Sequence, residues 1–111
     1  MKYMMFVCSD TEPDTDTAQL PDIEAWVTRN DEAGRRLDGS VLAPTTASTT
    51  VRVRDGRLLV SDGPFTESKE VILGFDLLEC ADLDEAIEVA RSHPMARMGR
   101  IELRPLAELD D

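Results

Sequence analysis

The sequence predicts an α+β fold from three observations: strand-forming segments at both ends and in the middle, two stretches of helical periodicity between them, and a hairpin marked by an Asp-Gly turn. Hydrophobic residues make up 41% of the 111-residue chain, which with this periodicity supports a folded core rather than a disordered chain. The length suits one domain over residues 1–111, with a core small enough that self-association would add useful burial.

Lys2 to Cys8 is rich in strand formers and apolar on both faces, as a central strand is. Ser9 to Gln19 holds acids, Thr and Pro without periodicity and reads as a loop. Pro21 suits a helix start because its missing N–H would be unpaired there, and Asp22 and Glu24 set negative charge at the positive helix end. Ile23, Trp26, Val27, Ala33 and Leu37 then form an apolar stripe at helical spacing, and Gly39 is the expected stop. Ser40 to Ala43 reads as a short strand closed by Pro44.

Val51 and Val53 alternate with Arg52 and Arg54, followed by Asp55-Gly56 and Arg57-Leu58-Leu59-Val60. Asp-Gly is favoured in a two-residue type I′ turn because both positions need positive φ. That register sets Val53 opposite Leu58 and Val51 opposite Val60, all four on one face. Asp62-Gly63-Pro64-Phe65 reads as a tight turn, and Val71 to Cys80 as a long strand interrupted by Gly74. Asp82 is an N-cap with Glu85 three residues on, and Leu83, Ala86, Ile87 and Ala90 supply the buried stripe of a second helix ended by His93-Pro94. The last strand runs from Gly99 to Arg104, with Ile101 and Leu103 inward and Arg100, Glu102 and Arg104 on the other side.

With the hairpin set aside as an insertion, the order is the βαββαβ of a ferredoxin-like domain. Helices then cover one sheet face. The other face is expected to pair Met4 and Phe6 with Ile72 and Leu78, opposite Met5, Val7, Leu73 and Leu77, and to need cover from a second copy of the chain.

Twenty-three carboxylates against twelve Lys and Arg give a formal net charge of −11, which repels phosphates and anionic membrane surfaces, so neither nucleic acid nor membrane is an expected partner. The apolar run at the N-terminus is too short for a signal sequence, and no stretch has the length of a membrane span. Cys8 and Cys80 therefore read as reduced core thiols of a cytoplasmic protein, to be bridged only if their strands are neighbours.

Asp62-Gly63-Pro64-Phe65-Thr66-Glu67-Ser68-Lys69-Glu70 resembles the DGPFxExKE signature of the DGPF, or YCII-related, family, and Thr49 to Gly56 is similar to the run that precedes it. Ala81 to Ala86, His93-Pro94-Met95-Ala96 and Ile101 to Pro105 are similar to further family stretches, whereas Ser9–Gln19 and Ser40–Ser48 match none. The resemblance implies a ferredoxin-like domain pairing into a dimeric α/β barrel. It also implies an enzymatic role built on a His and an Asp in a cleft, or a regulatory role beside extracytoplasmic-function sigma factors, and it fixes no reaction.

His93 is the one side chain here that titrates near neutral pH when unperturbed, and the end of its helix would favour the protonated form. It is either a general acid/base or a half-buried residue capping helix carbonyls. Asp76 interrupts a strand of Leu and Phe and must face solvent, pair with an arginine or line a cavity, with Gly74 two residues away leaving room. Asp62, Gly63, Pro64, Phe65, Glu67 and Lys69, with Arg104 on the last strand, are either binding residues or fold and interface residues. One His and two distant Cys make no closed zinc site, no nucleotide motif is present, and no cofactor is expected. Three readings follow: a homodimeric accessory protein that holds a small molecule or a protein partner such as a sigma factor, a cofactorless enzyme using His93 and Asp76, or a structural or interaction module with no pocket.

Overall fold

A computed structural model describes residues 1–64 and 70–109. In chain order the elements are β1 (Lys2–Cys8), α1 (Ile23–Glu32), β2 (Arg36–Val41), β3 (Thr49–Arg54), β4 (Arg57–Asp62), β5 (Ile72–Glu79), α2 (Leu83–Arg91), α3 (Met95–Met98) and β6 (Arg100–Pro105). Four strands form an antiparallel sheet in the order β2-β5-β1-β6, while β3 and β4 pair with each other alone. The four-stranded order and the helices between its strands are compatible with a ferredoxin-like fold.

Local chemistry sets the helix ends. Asp22 caps α1 by accepting the Glu24 N–H. Asp82 caps α2 by accepting the Glu85 N–H at 2.9 Å, while the Glu85 carboxylate takes the N–H of Ala81 at 3.2 Å. α1 stops earlier than the apolar stripe suggests. Gly34, at φ +70, takes the left-handed position after the helix, and the Arg35 N–H closes onto the Asn30 carbonyl. Leu37 and Gly39, read as helix and helix stop, belong to β2. The short helix α3 follows His93-Pro94, where the sequence indicated only a turn.

Tyr3, Met5 and Val7 point to the helices together with Leu78, Asp76 and Gly74, their cross-strand neighbours on β5. The expected assignment of Leu78 to the Met4 and Phe6 face is therefore corrected. Met4 pairs with Leu77 and Phe6 with Phe75, so Leu77, expected beside Met5 and Val7, lies on the opposite face with Phe75, while β5 presents Gly74, Asp76 and Leu78 inward. Ile101 and Leu103 do point inward, beside Val7 and Met5. The core is Tyr3, Met5, Trp26, Leu78, Ala86 and Val89. The Trp26 indole N–H donates to the Val89 carbonyl at 2.9 Å, which locks α1 to α2 over that core.

The hairpin has the expected register, Val53 opposite Leu58 and Val51 opposite Val60, with Asp55 at φ +50 and Gly56 at φ +72. Its apolar face remains open: Val51, Val53, Leu58 and Val60 are all well exposed. Cys8 and Cys80 are free and buried. The strands that carry them are neighbours, but Cys8 pairs with Ile72 at one end of β5 and the Cys80 N–H bonds Met1 at the other, about 25 Å away at the usual strand rise. No disulfide spans that distance. Among the described residues no helix is long and apolar enough to cross a membrane.

Candidate functional site

A cavity of about 510 Å3 lies between α1, the inward face of the sheet and the turn from α2 to α3. Ile23, Trp26 and Val27 line it from α1, Val7 from β1, Val41 from β2, and Met95 from α3. Among the described residues its ionisable lining groups are Arg36, Asp76 and His93.

Asp76 is only 7% exposed. Its Oδ1 accepts from Arg36 Nε at 2.7 Å, and Arg36 Nη1 reaches Asp31 Oδ1 at 2.9 Å, so one guanidinium sits between two carboxylates. Burial pushes the Asp76 carboxyl above the usual carboxylate range, outweighing the opposing pull of Arg36. Of the three settings the sequence left open for Asp76, pairing with an arginine and lining a cavity hold together, and solvent exposure does not. Gly39 makes the arrangement fit, because it faces Asp76 across the β2–β5 ladder and has no side chain to displace the pair. Gly74 serves another close approach: a Cβ there would lie 2.9 Å from the Ser40 carbonyl oxygen.

His93 is 5% exposed and packs its ring edge-on to Trp26, with centroids 4.7 Å apart. The Met95 N–H donates to His93 Nδ1 at 3.0 Å, so the neutral ring carries its proton on Nε2. Burial holds the imidazole at about 4, below its ordinary 6.5. The expected preference for the protonated form at a helix end is overturned, since desolvation opposes the charge and Nδ1 already accepts a backbone N–H. No hydrogen bond joins His93 to Asp76.

The signature turn lies elsewhere. Asp62 ends β4 and is exposed, as is Pro64. Gly63 adopts φ +87, donates its N–H to the Ser48 carbonyl at 2.6 Å and accepts from Thr50 Oγ1 at 2.9 Å. Those bonds tie the turn to the start of β3. Phe65, Glu67 and Lys69 lie outside the described residues. Arg104 is exposed on the sheet face away from the helices, paired with Glu102 at 2.7 Å and set 5.7 Å over the Phe6 ring. Asp62, Gly63, Pro64 and Arg104 do not line the cavity. Arg36, Asp31 and Gly39 were not among the sequence candidates, and the signal for Arg36 was the need of Asp76 for a cation.

A family model described as the YCII-related domain matches residues 1–110. The chain belongs to the YCII-related family. An uncharacterized protein of Rhizobium meliloti (strain 1021) is 42% identical over 103 residues, covering 91% of this chain and 83% of the relative. In this YCII-related chain, His93 and Asp76 line one cavity, each engaged by a different partner.

Proposed function

We propose that the chain is a homodimeric accessory protein that holds a small molecule in the cavity between sheet and helices. The observation that carries this reading is the cavity itself: about 510 Å3, mainly apolar walls, and a few polar groups fixed by bonds of their own. That is the usual build of a small-molecule site. Dimerisation is supported by the sheet face away from the helices, where Met4, Phe6, Phe75 and Leu77 are half-buried with no described element laid over them. The regulatory part, with a sigma factor as protein partner, rests on the family resemblance.

The enzyme alternative has His93 and Asp76 on one cavity wall in its favour. A base held at about 4 is poorly matched to proton exchange near neutrality, and binding is therefore the stronger reading. Crystals soaked in a mixture of cell metabolites should show ligand density against Trp26 and His93, and a cavity empty after every soak would sink the binding reading. Light scattering at micromolar concentration should give about twice the 12.3 kDa chain mass, and a monomer at all concentrations would remove the dimer.

A further inference from the structure

The charge balance of the cavity defines what it can accept. Among the described residues Arg36 is the one cation in the lining, and it is held between Asp76 and Asp31. The cluster therefore carries one net negative charge, and an anionic ligand would have to compete with two fixed carboxylates for that guanidinium. His93 adds no positive charge at neutral pH and offers a single donor, the Nε2–H. Neither His93 Nε2 nor Asp76 Oδ2 has a hydrogen-bond partner among the described residues, and neither atom is sealed off. Both residues are more than nine-tenths buried, and these two atoms stand with the Arg36 Nη2 group and the Ser40 hydroxyl among the polar features the lining offers an occupant.

Resting on the binding reading above, we infer that the cavity selects an uncharged, largely apolar molecule whose polar head donates a hydrogen bond to Asp76 and accepts one from His93, and that it rejects carboxylates and phosphates. An alcohol or a primary carboxamide has both capacities. A carboxylate offers no proton to Asp76 and places like charges together without water to screen them. An ammonium would satisfy Asp76 but has no acceptor for the His93 donor, and it would leave its hydration for apolar walls. The volume suits on the order of 15 non-hydrogen atoms, with Trp26, Val27 and Met95 against the apolar body.

Four probes built on one ring system separate the classes: naphthalene, naphthylmethanol, naphthoate and protonated naphthylmethylamine, titrated into the whole protein at neutral pH and followed by calorimetry and amide NMR. The alcohol should bind roughly tenfold more tightly than naphthalene, the scale of one or two net hydrogen bonds. It should also shift the amides of Trp26, His93 and Met95, while naphthoate gives no saturable signal. Naphthoate or the amine binding in the cavity as tightly as the alcohol would overturn the selectivity and leave the binding reading standing. No shift with any probe, naphthalene included, would overturn both. Asp76→Asn removes the net negative charge and should admit naphthoate, and continued rejection by a folded variant would also count against the inference. Should that variant not fold, the ranking of probes on the unmodified protein decides.

Discussion

Gly39 and Asp76 face each other across the β2–β5 ladder so closely that a Cβ on Gly39 would fall 2.2 Å from Asp76 Oδ1 and 2.7 Å from the Phe75 carbonyl oxygen. The carboxylate could swing away, but the carbonyl is backbone and cannot. Gly39→Ala should therefore push β2 off β5 and cost roughly 1–3 kcal/mol, the usual range for overpacking. Urea denaturation measures it, and an unchanged midpoint would mean that β2 has slack at this position.

The Arg36–Asp76 pair should respond asymmetrically. Arg36→Met strips a buried carboxylate of its cation and should cost roughly 3 kcal/mol. Asp76→Leu leaves Arg36 its bond to Asp31 and should cost less. The double variant Arg36→Met/Asp76→Leu should recover most of the loss, because an apolar pair replaces the ionic one. Equal losses in both single variants, with no recovery in the double, would show that the two residues do not act as a pair.

Acid should unfold the protein partly through His93. With the folded ring held at about 4 and the unfolded one at 6.5, the folded state binds fewer protons between those values. Stability is full above pH 6.5 and falls as pH drops through that window, by at most about 3 kcal/mol. Asp76 acts in the opposite sense, since its carboxyl is raised and protonation relieves its burial. His93→Gln should flatten the fall between pH 6.5 and 4 in a series of denaturation midpoints. A variant as acid-sensitive as the parent would show that other groups set the slope.

Strain in the hairpin should stay in the hairpin. Gly56 sits at φ +72, so Gly56→Val should cost about 1–2 kcal/mol locally. β3 and β4 pack chiefly on each other, and the sheet and helices do not depend on them. Amide exchange in β3 and β4 should accelerate several-fold while the global denaturation midpoint hardly moves. A large global shift would mean that the hairpin is built into the cooperative core.

These outcomes track what the sequence could disclose. The hairpin was legible to the residue because its determinants are local: alternation fixes the faces and Asp55-Gly56 fixes the turn. The Asp82 N-cap was legible for the same reason, whereas Asp22, read only as negative charge at the helix start, proves to be the cap of α1. The end of α1 was not legible, because Leu37 continues the helical spacing of Ala33 past the Gly34 that ends it. The inward face of β5 was misread because apolar residues occupy both faces, and the face with Gly74 and Asp76 is the less apolar one. Asp76 stood out as a misfit and His93 as a titratable ring, so half of the site was visible. Their partners were not, since Arg36 reaches Asp76 only through a strand pairing between residues 40 positions apart.

The separation of Cys8 and Cys80 turns the chain into its own reporter. Each thiol marks one end of the β1–β5 ladder, and burial raises both thiol pKa values, so reactive thiolate is scarce while the sheet is closed. Alkylation at either position therefore registers an opening event at that end. Comparing the two labelling rates by peptide mass spectrometry would reveal whether the sheet frays first where β1 meets Ile72, beside Gly74 and the cavity mouth, or at the opposite end under the start of α2. No engineered label is required.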